Sequence, residues 1–221
     1  MFEEITKNVI DYSDIPAYIV GLYTVIIYKK LPREMKYFSW FIFVSVAVQL
    51  IASIIYYKEG NNLPILHIYT VVGFLCLINF YNKLFDGLIK PTLLWALGII
   101  FVIYSVINSI FIQDIYTFNS YALSVQAVFI IIFSLTTFGF LMNEIVREKR
   151  VYIIKSLSWI NAGLFIYYSS SLLVFYFGNM INSLSWTPLI RYTWFIYALF
   201  SIIMYICFFI GLWKRPRNLT S

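Results

Sequence analysis

Seven apolar runs, each long enough to cross a bilayer, constrain this chain more than any other feature. About 20 apolar residues in a helix cross the roughly 30 Å hydrocarbon layer. Only 12% of the residues are charged and 62% are hydrophobic, so a single aqueous core cannot bury this much apolar surface. The sequence therefore predicts an all-α integral membrane protein, a bundle of seven transmembrane helices that form one transmembrane domain over residues 1–221. The predicted spans are residues 12–29, 37–57, 64–84, 92–112, 119–143, 155–178 and 189–213.

The six prolines all fall at or beyond the ends of these runs. Proline suits the first turn of a helix or a stop, and it damages a helix interior. We therefore expect largely unbroken spans, which argues against transporter folds that build their sites from interrupted helices.

Lysine and arginine predict the orientation, because these residues concentrate in cytoplasmic loops. With the N-terminus outside, thirteen of the sixteen basic residues lie in inner segments, and only Lys7, Lys58 and Arg191 lie outside. We therefore expect an outer N-terminus and a cytoplasmic C-terminus. The net charge of +6 is then a topology signal. Because no soluble domain presents a basic face, no nucleic-acid partner is expected.

Two segments suggest an internal repeat. LPILHIYT (63–70) opens the third span and TPLIRYTW (187–194) opens the seventh, and each combines a proline, a basic side chain, tyrosine and threonine. Spans 1–3 and 5–7 run in the same direction, which allows a parallel 3+1+3 repeat. Such a repeat would place His67 and Arg191 at equivalent depths near the outer surface.

Catalytic and cofactor chemistry lacks the residues it needs. All ten carboxylates lie in tails, loops or helix ends, and no lysine lies at the centre of a span. One histidine cannot build a histidine-rich metal site or ligate a haem from both sides. Neither a serine-nucleophile elbow nor an H-E-x-x-H helix occurs. We therefore expect no enzyme activity, no metal ion and no cofactor.

Polar side chains concentrate in the predicted outer half, while the inner half is apolar apart from Asn79 and Asn161. Those two amides are expected to make structural hydrogen bonds, because an unpaired amide is costly in lipid. A channel for hydrated ions needs polar lining throughout, so the asymmetry favours ligand binding from outside, in a pocket between helices. The candidate ligand-binding residues are Gln49, His67, Tyr69, Asn119, Tyr121, Gln126, Ser169, Ser170 and Arg191.

Several of these candidates have a second interpretation. Gln49 shares one face of its helix with small residues, a pattern typical of helix packing as well as of ligand contact. His67 is either an interfacial side chain or a ligand- or pH-responsive contact. Arg191 reaches lipid headgroups, binds an anion, or pairs with Asp14 or Asp114.

The polar residues of the segment TFNSYALSVQ (117–126) also have a structural and a ligand-binding interpretation. Thr117, with Asn119 or Ser120, can cap the helix that begins there. Capping does not account for Gln126, about two turns below the surface, where an amide needs a partner.

Three motifs carry a resemblance. HIYT (67–70), FNSY (118–121) and WINAGLFIYYSS (159–170) resemble an uncharacterised family of small seven-helix bacterial inner-membrane proteins with no known activity. The resemblance implies a multi-pass protein of the bacterial inner (cytoplasmic) membrane. The family pattern has an acidic residue near Gly73 and at Gln126. This sequence is neutral at both, so proton or cation handling that depends on those acids is not expected.

Three functional hypotheses follow. The first is a receptor-like or sensory subunit that binds a small or lipid-like ligand in its outer half. It would act through a protein partner in the membrane or at the cytoplasmic face, because the short loops leave no room for a soluble domain. The second is a facilitator, similar to a uniporter, for a small neutral solute. The third is a structural subunit of a membrane complex, with lipid and neighbouring subunits as its contacts.

Overall fold

The structure, a computed structural model, describes residues 2–144, 151–183 and 187–216, and the side chains of Phe2 and Thr187 are not considered. The described residues form helices joined by turns, with no strand among them. A 3₁₀ turn, Tyr28–Lys30, follows α2, and a π turn, Asn108–Ile112, follows α5. The helices are α1 (Phe2–Asp11), α2 (Ile15–Ile27), α3 (Arg33–Glu59), α4 (Leu63–Leu84), α5 (Pro91–Ile107), α6 (Ser120–Met142), α7 (Ile154–Ser183) and α8 (Thr187–Trp213).

Within the described residues, seven helical segments are long and apolar enough to cross a membrane. This confirms the predicted all-α transmembrane bundle. The orientation and the internal repeat stay predictions. Four of the basic residues used to predict the orientation, Arg147, Lys149, Arg150 and Arg217, lie outside the described residues.

The first span begins earlier than the apolar pattern predicts. The candidate span covers Glu3–Lys30, and α1 forms its first part. A short turn ending at Asp14 separates α1 from α2, and Pro16 lies in the first turn of α2, where a missing N–H costs nothing. α1 packs against α8. Its charged residues, Glu3, Glu4 and Lys7, conceal this helix from a search for apolar runs.

Six helices close a ring. Contacts join α2 to α3, α3 to α4, α4 to α6, α6 to α7, α7 to α8, and α8 back to α2, while α5 packs outside the ring against α4 and α6. At the closing contact Arg215 donates a hydrogen bond to the Tyr23 hydroxyl over 2.8 Å. Between α7 and α8 the backbones approach closely at Gly163, where a Cβ would lie 2.9 Å from Cys207 Cβ. Small residues permit such approaches between membrane helices.

The predicted inner half of the ring is filled by aromatic side chains. It contains the first turns of α3 and α7 and the last turns of α4, α6 and α8. Phe38, Phe80 and Phe208 are fully buried, and the Phe38 ring centroid lies 5.2 Å from that of Phe80 and 4.8 Å from that of Phe208. These three phenylalanine side chains, each from a different helix, fill the centre of the helix bundle.

A hydrogen-bonded group of three residues lies in the same half. The Asn161 amide nitrogen donates to the Ser134 carbonyl oxygen over 3.0 Å, and Asn161 Oδ1 accepts from the Tyr81 hydroxyl over 3.3 Å. Tyr81 also lies 3.0 Å from Ser134 Oγ. Both ends of the buried Asn161 amide therefore have partners. Asn79, the other predicted structural amide, is half-buried on α4.

Candidate functional site

A cavity of about 230 Å³ lies inside the ring, in the predicted outer half. Its walls come from α3, α4, α6, α7 and α8, and its upper edge from the turn before α2. Clefts for drug-sized ligands measure about 300–1,000 Å³, so this cavity suits a smaller molecule. The lining residues with aromatic rings are Phe41, Tyr69, Phe118, Tyr167, Tyr168, Phe175, Tyr197 and Tyr205. The polar ones are Ser13, Asp14, Ser45, Gln49, Ser53, Asn62, Thr70, Gln126 and Ser201.

Gln126 contributes a half-satisfied amide to the cavity wall. Its exposed fraction is 3%, and its Nε2 donates to the Tyr168 hydroxyl over 3.3 Å. Its Oε1 is buried and accepts no hydrogen bond from any described residue. A buried carbonyl oxygen without a donor costs about 1–3 kcal/mol. Gln126 therefore lines the cavity and keeps an acceptor that no described residue uses.

Gln49 repeats this arrangement from α3. Its Nε2 lies 3.5 Å from the Tyr205 hydroxyl, at the outer limit for a hydrogen bond. Its Oε1 is also buried without a donor among the described residues. Ser45, Ala52 and Ser53 lie on the same helix face and line the same cavity. That face therefore borders a cavity, in addition to any packing role.

Tyrosine hydroxyls supply further hydrogen-bonding groups. Ser45 donates to the Phe41 carbonyl over 2.7 Å, so the Tyr69 hydroxyl, 2.7 Å from Ser45 Oγ, must donate to it. The hydroxyls of Tyr167 and Tyr197 lie 2.6 Å apart. Only one of the two can donate to the other, which leaves a second hydroxyl hydrogen for another acceptor. The cavity therefore offers both donors and acceptors.

A loop between α5 and α6, residues 113–119, contributes Phe118 to the cavity wall; it is called the covering loop below. Its Phe118 is 8% exposed, lines the cavity, and lies with its ring 5.5 Å from that of Trp194 on α8. Asn179 on α7 holds the Phe118 backbone through two bonds: its amide donates to the carbonyl over 2.7 Å and accepts from the N–H over 3.0 Å.

His67 anchors the covering loop and does not line the cavity. Its Nε2 donates to the Thr117 carbonyl over 3.0 Å, so Nδ1, 2.8 Å from Ser109 Oγ, accepts from that hydroxyl. Both ring nitrogens are therefore occupied. In the structure His67 holds the loop, and a ligand contact at His67 stays a prediction.

Asn119 has a similar structural role. Its Oδ1 accepts from Asn108 over 3.0 Å, and its Nδ2 donates to Thr70 Oγ1 over 3.2 Å. It occupies the N-cap of α6 without a capping side-chain bond, and Thr117 Oγ1 donates to the Asp114 carbonyl. Neither Asn119 nor Thr117 therefore caps α6 with its side chain, and a ligand contact at Asn119 stays a prediction.

Arg191 also lies away from the cavity. Its Nη1 is 2.8 Å from Glu3 Oε1 on α1, and it borders a surface groove with other charged residues of α1. The sequence-based pairing with Asp14 or Asp114 is replaced by Glu3. An α1 helix was not predicted, so Glu3 was not considered as a partner.

Three further candidates lie outside the cavity lining. Ser169 donates to the Phe165 carbonyl of its own helix over 2.5 Å, a common arrangement for serine in membrane helices. Tyr121 is 44% exposed, and Ser170 does not border the cavity. Of the nine candidates, the structure brings together Gln49, Tyr69 and Gln126.

The α8 side of the cavity was missed by the sequence analysis. Tyr197, Ser201 and Tyr205 line it, and their spacing of i, i+4 and i+8 puts them on one helix face. That spacing was the available signal. In a chain with 19 tyrosines it did not stand out.

Comparison with protein-family models, curated proteins and solved structures finds no match for this chain. The resemblance carried by HIYT, FNSY and WINAGLFIYYSS therefore stays a prediction. The function of the cavity has to follow from its own side chains.

Proposed function

We propose that this chain is a receptor-like, non-enzymatic subunit of a bacterial cytoplasmic membrane, which binds a small ligand in its outer half and acts through a partner protein. The observation that carries the proposal is Gln126, which lines the cavity, is 3% exposed, and keeps a buried amide oxygen without a donor among the described residues. A ligand with an N–H or O–H group would supply the missing hydrogen bond. Convergent polar groups in an apolar pocket are typical of such sites.

The packing below the cavity supports binding over passage. A facilitator needs a polar path through both halves of the bundle. Here the fully buried rings of Phe38, Phe80 and Phe208 meet in the predicted inner half. A solute in the cavity would have to displace several large side chains to go further.

The connections support a role for a partner. Between α3 and α4 the chain runs only from Gly60 to Asn62, and between α4 and α5 from Phe85 to Lys90. Neither connection can hold a signalling domain. Because α3, α7 and α8 line the cavity and continue into the predicted inner half, a ligand that shifts them would also shift their inner ends, where a partner can respond.

The cytoplasmic-membrane location rests on two sequence observations. Basic residues concentrate on one side of the predicted topology, as in proteins inserted with a cytoplasmic positive face. The three motifs that resemble bacterial inner-membrane proteins point to the same membrane. The apolar outer surface, with Leu22 66% and Ile26 70% exposed, is suited to lipid contact.

Thermal unfolding of the purified protein with a panel of small polar solutes tests the binding function. A solute at 100 times its Kd stabilises the folded state by about 2.7 kcal/mol. We expect Gln126→Leu and Ser201→Leu to abolish this stabilisation, the first by removing the amide and the second by filling the cavity. Tyr121→Phe, outside the cavity, should retain it. Stabilisation that persists in both cavity variants would contradict the proposal.

Solute exchange in proteoliposomes separates a receptor from a facilitator. For a solute that stabilises the protein, we expect no flux above that of empty liposomes. Flux that Ser201→Leu blocks would favour the facilitator instead.

A further inference from the structure

The lining of the cavity also indicates the charge of its ligand. We propose that the cavity binds a small organic cation, an ammonium group that carries apolar substituents. This inference rests on the proposed function, because it assumes that the cavity is a ligand site. Charge, aromatic faces and size each support it.

Charge is the first of the three. Asp14, in the turn before α2, lines the cavity and makes no side-chain capping bond to its helix. Among the described lining residues it is the one acid, and there is no lysine, arginine or histidine. The two unpartnered amide oxygens, Gln49 Oε1 and Gln126 Oε1, add partial negative charge. An anion would therefore find no cationic partner in this lining, whereas a cation would find the Asp14 carboxylate.

Aromatic faces are the second. The Tyr167 ring centroid lies 5.1 Å from that of Tyr168 and 5.7 Å from that of Tyr197, and Phe175 lies 6.0 Å from Tyr197. All four rings line the cavity. The negative face of an aromatic ring attracts a cation within about 6 Å, and clusters of such rings recognise quaternary ammonium groups. This cluster lies on α7 and α8, across the ring of helices from Gln49.

Size and coordination exclude two other kinds of cation. The volume of about 230 Å³ is too small for a drug-sized molecule, since such ligands need about 300–1,000 Å³. Bare calcium takes about 6–8 oxygen ligands, several of them carboxylates, and Asp14 is one carboxylate among aromatic rings. Rings contribute to binding only when the cation is weakly hydrated, as an alkylated ammonium is.

The test compares two probes of the same shape. Choline carries a trimethylammonium group, and 3,3-dimethylbutan-1-ol replaces its nitrogen with carbon, so that only the charge is lost. Binding of each to the full chain in detergent micelles is measured by calorimetry. We expect choline to bind at least about tenfold more tightly than the alcohol.

Matched variants assign the effect to residues. Asp14→Asn should weaken choline binding about tenfold, while Asp11→Asn, the same charge change at an exposed position three residues earlier, should leave it intact. Tyr197→Phe keeps the aromatic face and should retain choline binding; Tyr197→Leu removes the face and should lose it. Melting temperatures without probe show whether each variant folds, and if Tyr197→Leu does not, the Asp14 and Asp11 pair still decides the question.

Equal affinity for choline and the alcohol would overturn the inference, and so would equal behaviour of the Asp14 and Asp11 variants. If choline does not bind but a neutral solute stabilises the protein in a way that depends on Gln126, the inference of a cationic ligand is wrong and the receptor proposal stands. If choline and every solute are inert, both proposals fail.

Discussion

Asn161 and Gln126 are both buried amides within the same ring of helices, and their hydrogen-bonding surroundings are opposite. Asn161, in the predicted inner half, is bonded at both ends, to Ser134 and Tyr81. Gln126, in the predicted outer half, has one long bond to Tyr168 and an oxygen without a donor. Burial of a polar group alone therefore does not indicate its role. Gln126 combines an unpaired oxygen with a place in the cavity wall, and for this reason we propose it, and not Asn161, as a ligand contact.

The largest expected change in stability concerns the aromatic packing of the predicted inner half. Phe38→Ala should lower the free energy of unfolding by about 3 kcal/mol, the low end for such truncations, because lipid and not water surrounds the bundle. Denaturation in mixed micelles with increasing SDS measures it. Phe111→Ala, at a side chain 79% exposed, should change stability by no more than about 0.5 kcal/mol. Equal losses would mean that the inner half is not the rigid part of the protein.

The next effect concerns the covering loop. Asn179→Ala removes both bonds to the Phe118 backbone and should cost about 2 kcal/mol, since buried partners are left unpaired. It should also speed amide hydrogen exchange in residues 113–119. Asn182→Ala, which removes one exposed bond to Trp194, serves as the control. If the two variants exchange at the same rate, Asn179 does not hold the loop.

A smaller effect tests the inner amide itself. Asn161→Ala should cost about 1 kcal/mol, a typical value for hydrogen bonds between membrane helices. A double-mutant cycle with Tyr81→Phe should show that the two losses are coupled. Asn79→Ala, at the half-buried amide on α4, is the comparison and should cost less. If the stability losses of Asn161→Ala and Tyr81→Phe simply add, the hydrogen bond between these two side chains would be contradicted.

The smallest effect is the most diagnostic for the outer amide. Gln126→Leu should not lower the free energy of unfolding in the absence of solute, because an apolar side chain of similar size removes the cost of the unpaired oxygen together with one weak bond. The same SDS titration measures it. A loss as large as that of Asn161→Ala would make Gln126 a structural amide, and the contrast between the two halves would fail.

Much of the fold could be predicted because its determinants are local. Apolar length defined the spans, and prolines at their ends placed α4 at Leu63–Leu84 against a predicted 64–84. α1 was missed because Glu3, Glu4 and Lys7 interrupt its apolar pattern, although packing against α8 stabilises it as a helix.

The site could be predicted only in part. The structure brings Gln49, Tyr69 and Gln126 to one cavity, and the signal in the sequence was that an amide or hydroxyl deep in a membrane needs a polar partner. Their role as ligand contacts stays a prediction. The bonding partners of His67 and Asn119 could not be predicted, because sequence gives the depth of a residue and not the path of a loop. His67 bonds to the Thr117 carbonyl of the covering loop, and Asn119, at the end of that loop, bonds to Asn108 and Thr70.

The closure of the ring by α8 against α2 has a consequence for the order of assembly. Synthesis runs from the N-terminus, so α2 enters the membrane early, yet its contact with α8 forms only after the last span of the described chain is made. The cavity takes walls from α3, α4, α6, α7 and α8, and this long sequence separation makes its formation one of the late, slow steps of folding. A chain released before α8 is inserted would hold most of its helices and an incomplete cavity. Binding of the proposed ligand would then report completed assembly.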